Sequence, residues 1–276
     1  MRLVTYTAAG RTGVGARRDG AIVDAGYADM HALIGAGTDG LARAAAAAQS
    51  GTPVEGATLL APIRPGKILC SGVNYASHAE ENPGATLPTE PFFFSKLPSA
   101  VVGPDAPIRI PRPTTNADYE VELAMVIGAG GYRIPEEQAL DHLFGWTILH
   151  DVSAREVQFK DMQITLGKNP DTFSPIGPEI VTPDEVGDWS TLRVSTTLNG
   201  QVMQDAATSS MLFTPAYLIA FLSDLISLEP GDVVTTGSPA GVGCFRDPAV
   251  YLQPGDTVTV SVDRIGDLTN PVVAGW

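Results

Sequence analysis

Hydrophobic and polar positions alternate in short runs along most of this chain, and a helical period replaces them in few places. LVTYTAAGRTGVGARRDGAIVDA predicts short strands separated by glycine turns. MHALIGAGTDGLARAAAAAQSG then predicts a helix, its alanine run adding intrinsic propensity. Pro62, Pro65 and Gly66 punctuate a boundary. The expected division is a small N-terminal α/β domain over residues 1–60 and a larger domain over 61–276. Beyond Lys67 strands dominate. Asn199-Gly200 in LNGQVMQD signals a hairpin. Pro230-Gly231-Asp232 before VVTTG and Pro254-Gly255-Asp256 before TVTVSV each read as a turn followed by a strand, local chemistry and not a repeat. TPAYLIAFLSDLISL, Thr214 to Leu228, predicts an amphipathic helix stopped by Pro230. Helices are few and do not alternate regularly with strands, so the pattern predicts a β-rich α+β fold and not a doubly wound α/β sheet.

One strand breaks its own rule. In YEVELAMVIG, Tyr119, Val121, Leu123, Met125 and Ile127 share one face, and Glu120, Glu122, Ala124 and Val126 share the other. That second face starts acidic and becomes apolar, which puts two carboxylates at the rim of a buried surface. The strand rise separates their α-carbons by roughly 6.5–7 Å, close enough for both side chains to reach one ion. Without a cation, their repulsion raises at least one pKa. The plain alternative is a solvated strand face. LFGWTILHDVSAR reads as another strand ending in Asp151, a third carboxylate. Three carboxylates at strand ends suit a hard divalent cation, Mg²⁺ or Mn²⁺, with water or substrate completing the octahedron. His31, His78, His142 and His150 show no zinc-type spacing.

Composition narrows the partners. With 44% hydrophobic and 17% charged residues, there is ample material for a core. Thirty-one acidic against 17 basic residues leave a net charge of −14, which repels phosphate backbones and anionic membranes. No apolar run is long enough to span a bilayer, and the start lacks the features of a signal peptide. Cys70 and Cys244 fit neither a disulfide framework nor a metal motif, and reduced thiols in the cytoplasm are the simpler reading.

The stretches YEVELAMVIG, HDVSAR, GKNPDTFSPIGP and TGSPAGVG occur in that order, with VNYASHAEE upstream. Together they resemble the fumarylacetoacetate hydrolase family from about Lys67 to the C-terminus. Residues 1–60 resemble the small N-terminal domain of its shorter bacterial members. TTNADYEVEL and CFRDPAVYLQPGDTV look most like the branch labelled as isomerases or domain-containing proteins. The resemblance implies a β-rich mixed-sheet roll and a metal-dependent enzyme acting on 2-oxo acids or β-dicarbonyls, usually as a homodimer. It matches Glu120, Glu122 and Asp151 to the metal ligands, with Ca²⁺ a further occupant in a crystal. His78 and Glu81 match the catalytic pair, Lys168 the active-site lysine, and Ser238 the hydroxyl placed near the substrate carboxylate. There are departures. Ser238 stands where many members have threonine, Pro170 stiffens the segment after Lys168, and SGVNY lacks the acidic ligand of the full-length enzymes.

Each assignment has its chemistry and its plain alternative. His78 and Glu81 share a face if their segment is helical, and a carboxylate behind an imidazole orients it as a base; otherwise they lie in a solvated turn. Lys168 adds positive charge at the substrate oxygen, or is a surface lysine. Gly237 and Ser238 begin a glycine-rich loop, able to hold a carboxylate or to serve only as a turn. Arg155 is either a substrate contact or a strut for acids near the metal, and Tyr75 and Gln158 line the pocket. Glu80 to Pro91 reads as a loop that closes over the site. No GxSxG elbow supports serine-hydrolase chemistry. The leading expectation is hydrolysis of a carbon–carbon bond in a 2-oxo or β-diketo acid. Tautomerisation, isomerisation or oxaloacetate-type decarboxylation at the same site comes next, and a non-catalytic protein with structural Ca²⁺ is the rival from another class.

Overall fold

The computed structural model describes residues 1–81, 86–160 and 162–275. The strands are β1 (Arg2–Ala8), β2 (Arg11–Arg18), β3 (Ala21–Tyr27), β4 (Thr58–Leu60), β5 (Ile68–Ser71), β6 (Phe93–Lys96), β7 (Val101–Val102), β8 (Ile108–Ile110) and β9 (Ala117–Asp118). There follow β10 (Val121–Ile127), β11 (Leu143–His150), β12 (Ser153–Ala154), β13 (Ser174–Val181), β14 (Arg193–Leu198), β15 (Gln201–Ala207), β16 (Val233–Thr235), β17 (Thr257–Val262) and β18 (Gly266–Ala274). The helices are α1 (Met30–Gly35), α2 (Gly37–Ser50), α3 (Ala76–Glu81), α4 (Arg155–Gln158), α5 (Thr165–Lys168), α6 (Pro183–Val186) and α7 (Pro215–Ser223).

An 11-stranded mixed sheet runs in the order β3-β2-β1-β13-β11-β10-β16-β5-β6, with β4 beside β1 and β7 beside β13. A five-stranded sheet, β15-β14-β17-β18-β8, packs against it. Val121, Leu123, Met125 and Ile127 meet Val194, Val260, Val262 and Leu268 of the smaller sheet in one core, while Ala124 and Val126 face a second core containing Leu33, Ile34 and Ile68. β10 is thus buried on both faces, and Glu122 within it and Glu120 just before it lie inside the protein. The fold is sheet-rich α+β, as the alternation predicts. β1 pairs with β13 antiparallel, so the first three strands continue the sheet that carries the carboxylates.

Turn chemistry behaves locally. Asn199-Gly200 joins β14 to β15. Asp232 accepts from the Glu229 amide at 2.7 Å, and Asp256 from the Gln253 amide at 2.7 Å, the same side-chain closure launching β16 and β17. Two helices differ from the pattern. The first expected helix is broken after Gly35, because Gly37 takes a φ of +57° that turns the chain between α1 and α2. α7 stops at Ser223 instead of Leu228. Arg133 N–H takes the Ser223 carbonyl, Ile134 N–H takes its hydroxyl, and Leu228 pairs with Gly131, so residues 131–134 replace the last turns. No helix among the described residues is long and apolar enough to cross a membrane.

Candidate active site

Strand register builds the acidic half of the site. Val121 lies opposite His150 and Glu122 opposite Leu149 across the β10–β11 ladder. One step further, Asp151 N–H donates to the Glu120 carbonyl at 2.9 Å. Glu120, Glu122 and Asp151 are 4%, 2% and 0% exposed, so their charge has to be matched from within the protein. Lys168, at the end of α5, donates to Glu120 Oε2 at 2.6 Å and to Asp151 Oδ2 at 2.5 Å. Lys96, closing β6, donates to Asp151 Oδ1 at 2.5 Å and to the Val152 carbonyl at 3.1 Å. Arg155 donates to Asp118 Oδ2, Glu120 Oε1 and Gln158 Oε1 at 2.8, 2.8 and 2.9 Å. Arg155 therefore braces Glu120, and Gln158 steadies Arg155.

These partners divide the carboxylates. Burial opposes the Glu120 charge, but Arg155, Lys168 and His78 outweigh it and hold its carboxyl well below the usual range. For Glu122 the balance runs the other way. Burial first, then the Asp151 and Glu120 charges, push it well above the usual range, because the Thr235 hydroxyl and the Lys168 charge favour its ionised form too weakly to win. Its Oε2 has no hydrogen-bond partner among the described residues. Burial alone would lower the Lys168 ammonium; Asp151 and Glu120 reverse this and keep it raised. Its Nζ also lies 4.7 Å from the centre of the Phe94 ring. Burial, then Lys96, push His150 down to about 3, so that ring is neutral.

Three oxygen-donor side chains with one unsatisfied buried oxygen fit a hard divalent cation. Among the described residues no three acidic, histidine or cysteine side chains already close on a single point; Lys168 supplies the positive charge between Glu120 and Asp151.

The basic half comes from α3. His78 Nδ1 is 2.6 Å from Glu81 Oε1, which leaves Nε2 facing Glu120 Oε1 at 3.9 Å. The other Glu81 oxygen accepts from Gly241 N–H at 2.7 Å, tying the pair to the glycine-rich loop after β16. Phe245 packs beside the imidazole with ring centres 6.2 Å apart. Ser238, in the same loop, is 2% exposed and accepts from Gln204 Nε2 at 2.8 Å. A Cβ at Gly237 would meet the Gly72 carbonyl at 2.7 Å, so the loop lies hard against the strand that leads to α3. Tyr75 is fully buried without a hydroxyl partner among the described residues, and burial, then Glu122, raise its pKa. Of the stretch expected to close over the site, Glu80 and Glu81 belong to α3, and residues 82–85 lie outside the described residues. Both cysteines are free thiols.

Three buried side chains at this site were not singled out from the linear pattern: Lys96, Asp118 and Gln204. Lys96 was signalled by a lone cation closing the aromatic run PFFFSK. Asp118 shares the alternation of Glu120 and Glu122. Gln204 carried no signal beyond a polar residue in a strand. Asp118 Oδ1 accepts from Gly243 N–H at 2.6 Å and Oδ2 from Cys244 N–H at 3.0 Å, which pins the loop to the Arg155 brace. A Cβ at Gly243 would lie 1.8 Å from the Val250 carbonyl and 2.6 Å from Asp118 Oδ1. Gly243→Ala is therefore expected to cost about 3 kcal/mol, through overpacking and a displaced Asp118. Thermal melting checks it, with a fall of several degrees; an unchanged midpoint would mean that this loop is not anchored through Asp118.

A buried cluster of carboxylates and cations beside an oriented imidazole, on a mixed-sheet fold, is the arrangement of an enzyme site for a small molecule. Residues 67–273 match the fumarylacetoacetate (FAA) hydrolase C-terminal family, and the chain belongs to that family. It is 45% identical over 219 residues to the mitochondrial oxaloacetate tautomerase of Xenopus laevis, covering 78% of this chain and 68% of the relative. Among solved structures it is similar to the fumarylacetoacetate hydrolase of Exiguobacterium antarcticum, with TM-score 0.89, 36% identity and 99% of each chain covered. It is also similar to a 5-carboxymethyl-2-hydroxymuconate delta-isomerase of Mycobacterium smegmatis, with TM-score 0.82, 35% identity and 100% of each chain covered. The family's reactions are thus hydrolytic, isomerising or tautomerising, and the chain is an enzyme of this kind.

Proposed function

We propose that this enzyme moves a proton between C3 and the 2-oxo oxygen of a small 2-oxo acid, with keto–enol tautomerisation of oxaloacetate as the reaction. The observation that carries the reading is the His78–Glu81 pair, whose free Nε2 faces the carboxylate cluster. Glu120, Glu122 and Asp151 would hold Mg²⁺ or Mn²⁺, which when bound polarises the 2-oxo carbonyl and stabilises negative charge on its oxygen. Glu81 holds the His78 Nδ1 proton, so Nε2 is the atom free to take the proton from C3 and pass it to the 2-oxo oxygen, or to carry it in the reverse direction. Lys168 adds a hydrogen-bond donor for the oxygen that becomes anionic. Ser238 and neighbouring N–H groups of its loop receive the substrate carboxylate. Lys96 and Arg155 hold Asp151 and Glu120 in position, and Arg155 with Lys168 keeps Glu120 ionised. The resemblance to the family also points to a homodimer.

Hydrolysis of an acylpyruvate is the second reading, supported by the likeness to the hydrolase of Exiguobacterium antarcticum. There Nε2 takes its proton from water instead of carbon. The two separate by product. With Mg²⁺ or Mn²⁺ present, the enzyme is expected to speed decay of the oxaloacetate enol absorbance above a metal-only control, without releasing pyruvate. Pyruvate release from an acylpyruvate with no effect on the enol would replace tautomerisation by hydrolysis. Pyruvate release from oxaloacetate would replace it by decarboxylation.

A further inference from the structure

Gln204 lies on β15, 1% exposed, with all four of its amide hydrogen-bond positions used. Its Oε1 accepts from Val121 N–H at 3.1 Å and from the Thr196 hydroxyl at 2.7 Å. Its Nε2 donates to the Pro239 carbonyl at 2.8 Å and to Ser238 Oγ at 2.8 Å. The orientation of this amide is dictated by its neighbours. A backbone N–H only donates and a backbone carbonyl only accepts, so Oε1 has to face Val121 and Nε2 has to face Pro239. Flipping the amide would set two donors against each other at Val121 and two acceptors at Pro239. Ser238 Oγ is thereby made an acceptor, and its own hydrogen is turned away from Gln204. Among the described residues no group accepts that hydrogen.

We propose that Gln204 is a positioning residue that fixes the polarity of the Ser238 hydroxyl, so that Ser238 presents a donor to the substrate's carboxylate. This rests on the reading that Ser238 receives the substrate carboxylate. The same residue also joins the site to the core. Val121, which Gln204 caps, sits between the two glutamates of the cluster, so one amide sets the spacing between the loop of Ser238 and the start of β10. A hydroxyl with no imposed direction would serve donor and acceptor ligands equally well, whereas one that already accepts from a buried amide is committed to donate.

The test compares wild type, Gln204→Glu, Ser238→Ala and the double variant. The glutamate side chain is close in shape, but when ionised it only accepts, so it draws the Ser238 hydrogen to itself. Gln204→Glu is expected to raise KM for the 2-oxo acid about tenfold or more and to weaken oxalate binding to the Mn²⁺-loaded protein equally, with kcat changed less than about threefold. In the Ser238→Ala background the same change is expected to raise KM by a clearly smaller factor, the remainder being the loop shift that follows loss of the bond to the Pro239 carbonyl. An equal loss in both backgrounds, or an unchanged KM in the single variant, overturns the proposal. A neutron structure of the wild-type protein tests it independently of the variants and of any substrate. Two deuterons on Gln204 Nε2 and a Ser238 deuteron pointing away from it support the assignment, and a Ser238 deuteron directed at Gln204 overturns it. If wild type neither binds oxalate nor acts on any 2-oxo acid, the functional reading falls, and the neutron result alone decides the polarity of Ser238.

Discussion

Glu122→Ala is expected to abolish divalent-cation uptake and turnover together. Among the described residues Glu122 is the member of the carboxylate cluster that makes no ion pair. Lys168 serves Glu120 and Asp151, Arg155 serves Glu120, and Lys96 serves Asp151, while Glu122 Oε2 has no hydrogen-bond partner among the described residues. Burial next to two other acids raises its pKa. A buried group kept in that condition is a cost to folding unless a ligand compensates it. Calorimetry with Mn²⁺ should show binding to wild type and none to the variant. Turnover should fall at least about a thousandfold, in keeping with the several kcal/mol that a bound cation gives to a developing oxyanion. Melting supplies a further check. Without a cation the variant is expected to be at least as stable as wild type, since an unsatisfied buried carboxyl has gone. With saturating Mn²⁺ only wild type should gain stability. Full Mn²⁺ uptake by Glu122→Ala would remove Glu122 from the ligand set.

His78→Ala should separate chemistry from cation binding. Nε2 stands 3.9 Å from Glu120 Oε1, near the carboxylates but not among them, and Nδ1 is committed to Glu81. The variant is therefore expected to bind Mn²⁺ as wild type does, while kcat falls by roughly 10²–10⁴, the usual range for a lost general base. Glu81 keeps its bond from Gly241 N–H, so the loop after β16 retains its anchor and the protein should stay folded. Retention of full activity would show that the proton is moved by another group, and the His78–Glu81 pair would lose its assigned role. Loss of Mn²⁺ binding along with activity would instead place His78 in the cation site.

Much of this was legible in the chain. Strand alternation and turn residues depend on a few neighbouring dihedral angles, so the β-rich fold, the Asn199-Gly200 hairpin and the two Pro-Gly-Asp turns could be read locally. Helix ends were less legible, because the end of α7 is set by Gly131 and Arg133, some ninety residues away in the chain. The residue types of the site could be listed from the pattern and the family likeness together, yet their division of labour could not. Arg155 read equally well as a substrate contact or as a strut, and only its bonds to Asp118, Glu120 and Gln158 show what it holds.

By itself, the amino-acid order determined that this protein is built mainly of strands, that Glu120 and Glu122 share a face where an apolar strand begins, and that a third acid follows the next long strand. Only the tertiary structure decided which charge answers which: that Lys96 and Lys168 share Asp151, that Glu122 makes no ion pair among the described residues, and that Gln204 commits Ser238 to one polarity. The reason is physical. Alternation is a property of a strand's own backbone, whereas hydrogen-bond direction and charge pairing arise from register and packing between segments far apart in the chain.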